Sequence, residues 1–286
     1  MRPPMKPKVK ARLLGRFSIS LASTELMVGA PQKALELLAF LVLHAGRPYT
    51  RESLAARMWA GADETHGRKY LRQALWQLHS GLDRVGKLRA DEILRLEPGW
   101  VCIQVEHVWT DIGALKAAFE RTRRGSRPKE DDDCVADMKK AVELYRGELL
   151  EGWLFDWCAA EREFYRDVYL TLLDRLIVSC EKAGDLDGGI TYATRALECD
   201  RARERTHRSL MRLHYLAGDR TSALRQYERC VEALRAELDV APDPETVLLR
   251  KEIRSGRGPK PSDGRREQGS STAQRRAPGQ AKRRER

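Results

Sequence analysis

The sequence predicts a mainly α protein with two folded parts: an N-terminal winged helix-turn-helix domain, in which helices are accompanied by small β-sheets, and an all-α tetratricopeptide-like domain after it. Three observations lead there. Residues 64–82 read as a helix with an apolar stripe on one side and hydrogen-bond donors on the other, followed by two short β-prone runs that turn at Pro98-Gly99. From Asp111 onward the periodicity is helical throughout. Within that part, Ala183-Gly184-Asp185 recurs as Ala217-Gly218-Asp219, 34 residues later. That is the period of a repeated helical hairpin.

In chain order, residues 10–28 alternate apolar and polar side chains (Ala11, Leu13, Phe17, Ile19, Leu21) with Gly15 and residues 22–24 as punctuation, which predicts a small antiparallel sheet. Residues 32–44 are nearly all apolar and stop at Gly46 and Pro48, so they should form a buried central helix. Thr50 is placed to cap a second helix, with Leu54, Ala55, Met58 and Trp59 on its inner side. The third helix spans residues 64–82, where Leu71, Ala74, Leu75, Leu78 and Leu82 recur at helical spacing. Residues 93–103 supply the hairpin, or wing. Helices follow at 111–124, 134–145 and 161–183, with a polar loop at 124–133, and helical periodicity continues to Leu238. Pro244 opens a last helix that ends near Arg254. These readings divide the chain into a basic disordered start (1–9), a winged-helix domain (10–107), an all-helical domain (108–254) and a disordered basic tail (255–286) rich in Gly, Pro, Ser, Gln and Arg.

The net charge of +11 comes from the ends. Residues 1–12 contribute +5 and residues 255–286 contribute +7, which leaves the body at −1. Nucleic-acid affinity therefore cannot be argued from total charge, only from where charge clusters. The tail either adds non-specific DNA affinity through counterion release or is a solvated segment without consequence. No apolar run reaches the length of a membrane span and the start lacks a signal-peptide core, so a soluble cytoplasmic protein is expected. The six cysteines form no C-x-x-C pair and read as reduced core thiols. The six histidines show no metal-ligand spacing, and there is no nucleophile elbow or phosphate-cradling glycine loop. No enzyme, metal or cofactor is expected.

The positive charge that matters lies on the third helix. Its outer face carries Arg68, Lys69, Arg72, Gln73, Trp76, Gln77 and His79, with no carboxylate between residues 65 and 82. The DNA major groove admits an α-helix, and its base edges are acceptor-rich. Arg72 suits a bidentate contact to guanine, Gln73 or Gln77 the pair with adenine, and Arg68 and Lys69 the phosphates, which fix register without reading sequence. Trp76 either packs on the wing or a neighbouring domain or touches a thymine methyl. Arg89 and Arg95 on the wing are placed to reach a backbone or minor groove, or are simply solvated. Trp109, Trp153, Trp157 and the tyrosines at helical spacing read as packing residues.

Several motifs in one order resemble a known family. LELLAFLVLHAGRP at residues 35–48, Arg51-Glu52 with Leu54 and Trp59, LRQAL at 71–75, VWTD at 108–111, LYRGELLEG at 144–152 and QYERC at 226–230 with residues 234–244 are together similar to the Streptomyces antibiotic regulatory protein family. The resemblance covers about residues 10–254. It implies an OmpR/PhoB-type winged helix joined to a bacterial transcriptional activation domain, promoter direct repeats of double-stranded DNA as the target, a homodimer on that DNA, and recruitment of RNA polymerase. The recognition helix is then residues 64–82 and the wing residues 93–103. Gln77, His79 and Ser80 stand where the family often has arginines. No receiver domain precedes the winged helix and no Walker motif is present, so neither phosphorylation control nor an ATPase module is expected. The alternative reading is a helical-repeat adaptor whose winged helix docks protein instead of DNA.

Overall fold

The computed structural model describes residues 9–84, 89–124 and 132–258. The expected basic start (1–9) and basic tail (255–286) lie largely outside these residues. The chain opens with β1 (Val9–Arg12), β2 (Ser18–Leu21) and β3 (Thr24–Glu25), and then α1 (Gln32–Leu43). Next come β4 (Tyr49–Thr50), α2 (Arg51–Met58), α3 (Glu64–Asp83), a 3₁₀ turn at Ala90–Glu92, β5 (Leu94–Glu97) and β6 (Trp100–Ile103). After β7 (Val108–Thr110) the rest is helical: α4 (Asp111–Arg124), α5 (Asp132–Val142), α6 (Ala159–Ala183), α7 (Leu186–Cys199), α8 (Glu204–Leu216), α9 (Arg220–Leu238) and α10 (Pro244–Ser255). This is the winged helix followed by tetratricopeptide-like helical hairpins that the sequence predicts.

The local reasons match the sequence reading. The Thr50 hydroxyl accepts the Ser53 backbone N–H at 3.1 Å and so caps α2. The repeated Ala-Gly-Asp triplets are helix-to-helix corners with one geometry. Gly184 and Gly218 adopt φ +74° and +83°, where a Cβ would be strained. The following Asp185 and Asp219 donate backbone N–H back to Cys180 and His214 at 2.9 Å in both cases. Their carboxylates accept from Gly188 and Ser222, capping α7 and α9. The 34-residue period is thus a repeated capping device. One expectation needs correction: α5 begins at Asp132, inside the stretch predicted as loop, and Asp133 is an acidic residue of the kind favoured in a first helical turn.

Sheet pairing joins the two halves of the chain. β1 pairs antiparallel with β2 and parallel with β7, giving the order β3-β2-β1-β7. A second sheet, β4-β6-β5, contains the wing hairpin. Segment 146–151 of the helical part returns to the first sheet. Gly15 donates to the Glu148 carbonyl at 2.9 Å, Leu150 to the Leu13 carbonyl at 2.8 Å and Glu151 to the Gly15 carbonyl at 3.1 Å. Trp157 donates its indole N–H to Glu36, buried on α1, and its ring packs against Phe40 at 5.2 Å. Phe17 meets Trp153 at 5.6 Å. These tryptophans anchor the junction, as expected of them, and a single apolar core runs from Val9 through α1 and α3 to α6. Tyr145, Tyr165, Tyr169 and Tyr227 are buried, and all six cysteines are free thiols.

Candidate nucleic-acid interface

α3 is the longest helix of the N-terminal half, with 20 residues and a length of about 30 Å. Asp63 caps it by accepting the His66 N–H at 3.0 Å, and that bond holds the Asp63 carboxyl below its usual range. Gly67, Leu71, Ala74, Leu75, Leu78 and Leu82 form the buried side, packed on α1 and α2. This stripe fixes the rotation of the helix, so the opposite face is set. Lys69, Arg72, Gln73 and Trp76 are exposed and Gln77 is half-buried. Lys69, Gln73, Trp76 and Ser80 follow one another at spacings of four, three and four and form a single ridge.

Electrostatic pairing separates the basic residues into two groups. Arg68 turns back to Glu64 at 2.5 Å and lies 4.0 Å from Glu52 on α2. Arg95 on the wing pairs with Glu97 at 2.6 Å, and Arg89 with Asp91 at 3.7 Å. His79 bridges Asp83 and Asp91 at 3.0 and 3.1 Å, tying the end of α3 to the turn before the wing. Among the described residues, no carboxylate partner engages Lys69 or Arg72. These two cations, with Gln73 and Gln77, are the part of the face that is free to meet an acceptor.

The wing tip is braced on the same side. Arg51 donates its backbone N–H to the Gly99 carbonyl at 3.0 Å, which ties the hairpin turn to the start of α2. Strand alternation sends Val101 and Ile103 into the core and leaves Trp100 45% exposed. Trp100 was not singled out from the sequence, although that alternation was a signal for it. Arg84, exposed just after α3, was also passed over because the apolar stripe ends at Leu82. Trp76 does not pack on the wing or a neighbouring domain: it is 68% exposed. Its position near the middle of the outward ridge keeps it from any core.

The model of the bacterial transcriptional activator domain matches residues 110–254, half of the chain. The chain belongs to that family. Its members are transcription regulators and not a class of enzymes, and the resemblance to the antibiotic regulatory proteins drawn from the sequence motifs is borne out. Among solved structures, the chain is similar to Mycobacterium tuberculosis EmbR in a complex with a low-affinity phosphopeptide, with a TM-score of 0.70 and 18% identity. The match covers 88% of this chain, and the chain spans 66% of the EmbR chain. That likeness supports the fold of both halves, winged helix included. The tetratricopeptide-containing domain of a Plasmodium falciparum FK506-binding protein aligns over 51% of this chain and 89% of its own, at 12% identity and a TM-score of 0.39. No curated protein matches the sequence. Among the described residues, no helix is long and apolar enough to cross a membrane, and no cluster of side chains could hold a metal ion.

Proposed function

We propose that this regulator binds promoter DNA by laying α3 in the major groove, with the wing alongside, and that the helical domain supplies dimer contacts and a surface for RNA polymerase. The observation that carries the reading is the outer face of α3, where, among the described residues, Lys69 and Arg72 have no carboxylate partner and stand beside Gln73 and Gln77. Arg72 is assigned the guanine contact and Lys69 a phosphate. Arg68 and Arg95 are poorer contacts, since each first leaves a carboxylate. An exposed pair of that kind is worth no more than about 1 kcal/mol, so DNA can still displace it. The expectation of a homodimer on direct repeats fits a helical domain whose Leu238, Val240 and Leu248 are exposed near its C-terminal end, where a partner has apolar surface to cover.

Binding of the full chain and its variants to operator DNA tests this. Arg72→Ala should lose about 5- to 150-fold in affinity for the preferred sequence and relax its preference at one base pair. Lys69→Ala should weaken binding to all sequences alike and lower the salt slope by about one. Arg95→Ala should cost less than either. Unchanged affinity and unchanged preference in Arg72→Ala would contradict the assignment. The adaptor reading is favoured by the near-neutral body, by the missing arginines at Gln77, His79 and Ser80, and by the carboxylates at Glu52, Glu64, Glu97 and Asp91, which mute the charge around the ridge. It predicts no sequence preference at all.

A further inference from the structure

Beside the C-terminal half of α3 lies a groove of about 380 Å³, walled on one side by the turn after β3, with Met27 and Val28, and on the other by Trp76, Gln77, Gly81 and Arg84. Two large apolar side chains stand unpacked at its edges: Trp76 is 68% and Val28 71% exposed. Both walls are held in place. The turn is closed by the Ala30 N–H donating to the Met27 carbonyl at 3.0 Å, and Leu26 is tied to Ile19 at 2.8 Å. Met27 is buried against α3, where a Cβ at Gly81 would stand 2.5 Å from its sulfur. Val28 is thus carried on a turn anchored against α3, on the wall that faces Trp76. An indole left in water on a helix gives little packing energy, and among the described residues nothing covers it.

The neighbours of Trp76 say what kind of surface that is. Gln77 and Arg84 line the groove beside it with donors, Gln73 stands one turn earlier on the same face, and the facing wall adds one carboxylate, Glu25. An apolar protein knob seated there would strip water from those donors without pairing them. A base-pair edge in the major groove offers acceptors for them together with one apolar group, the thymine C5-methyl. We propose that Trp76, backed by Val28 across the groove, contacts a thymine methyl and makes this protein discriminate thymine at one position of its operator. The inference rests on the DNA-binding reading and adds a specificity-determining residue to it. Covering one methyl-sized group is worth about fourfold in affinity.

The test uses the full chain and an operator selected from genomic fragments, in which each thymine is replaced in turn by deoxyuridine, so that only the methyl is lost. Dissociation constants are measured at one salt concentration for wild type, Trp76→Ala and Trp76→Phe, with circular dichroism to show equal folding. One replacement should weaken the wild type about fourfold. Trp76→Ala should bind the thymine operator about that much more weakly and be insensitive to the same replacement, while Trp76→Phe keeps part of the sensitivity. A wild type indifferent to every replacement, or a Trp76→Ala protein that retains the full penalty, would overturn the inference while leaving the DNA reading intact. So would a Trp76→Ala protein that binds normally but fails to activate transcription, which would assign the groove to a protein partner. A wild type with no sequence preference would overturn both.

Discussion

Asp111 is the residue whose loss should be felt most directly at the junction. It opens α4, is 1% exposed, and its carboxylate accepts the backbone N–H of Leu13 at 2.9 Å, of Leu14 at 3.0 Å and of Ile112 at 2.8 Å. Leu13 and Leu14 leave β1 for the stretch that the 146–151 segment grips, so the carboxylate fastens sheet, helix and junction together. Asp111→Ala strands the Leu13 and Leu14 donors in a dry interior. Each orphaned N–H costs about 1–3 kcal/mol, or about 2–6 kcal/mol together. One effect acts against this. Burial pushes the Asp111 carboxyl above its ordinary value in spite of the three donors, so removing the charge relieves a desolvation penalty. The net loss should fall in the lower half of the range, about 2–4 kcal/mol, a large share of the 5–15 kcal/mol that holds a typical domain. Urea unfolding followed by far-UV circular dichroism measures it. A loss below about 0.5 kcal/mol, the size of an ordinary surface substitution, would refute the claim that this carboxylate organises the junction.

Further predictions address the recognition helix and the helical domain. Gly81→Ala should destabilise the fold by about 1–3 kcal/mol, because the new methyl meets the Met27 sulfur, and Met27→Ala in the same chain should give part of that back. Thermal unfolding of the two single variants and the double variant checks this, and strictly additive losses would contradict the contact. Burial holds His207 and His44 below the usual histidine value of 6.5, so the unfolded chain takes up more protons as pH falls through 6.5. Stability should therefore be full above that pH and decline as pH falls below it. His207 is held between the Arg201 carbonyl at 2.9 Å and the Gln226 amide at 2.7 Å, and replacing it by a non-titrating residue should flatten the decline, as read from urea midpoints against pH.

The helices were legible because each signal was local. The stripe from Leu71 to Leu82, the Thr50 cap and the Ala-Gly-Asp corners all lie within a few residues of what they determine. β4 and β7 were not legible, since strands of two and three residues show no alternation and exist only through partners far along the chain. The grip of residues 146–151 on the first sheet was hidden for the same reason: a backbone-to-backbone junction leaves little trace in side-chain pattern. The outward face of α3 was legible as a face, but not its internal ranking. The Glu64–Arg68 pair could have been seen from its i,i+4 spacing. The pairs of Arg68 with Glu52 and of His79 with Asp91 join separate elements and could not. Trp76 was legible as outward-facing, but whether the wing or a neighbouring domain covers it depends on tertiary packing, which leaves it 68% exposed.

The central claim is that the α3 ridge reads a DNA sequence, and a genome-fragment binding selection with the full, folded chain at about 0.15 M salt tests it most directly, since that salt suppresses non-specific phosphate binding. Wild type should enrich a short motif repeated in the same orientation upstream of genes, and Arg72→Ala should lose that enrichment at one defined base pair per repeat. No motif above background from folded wild type, or the same motif at the same strength from Arg72→Ala, would contradict the account.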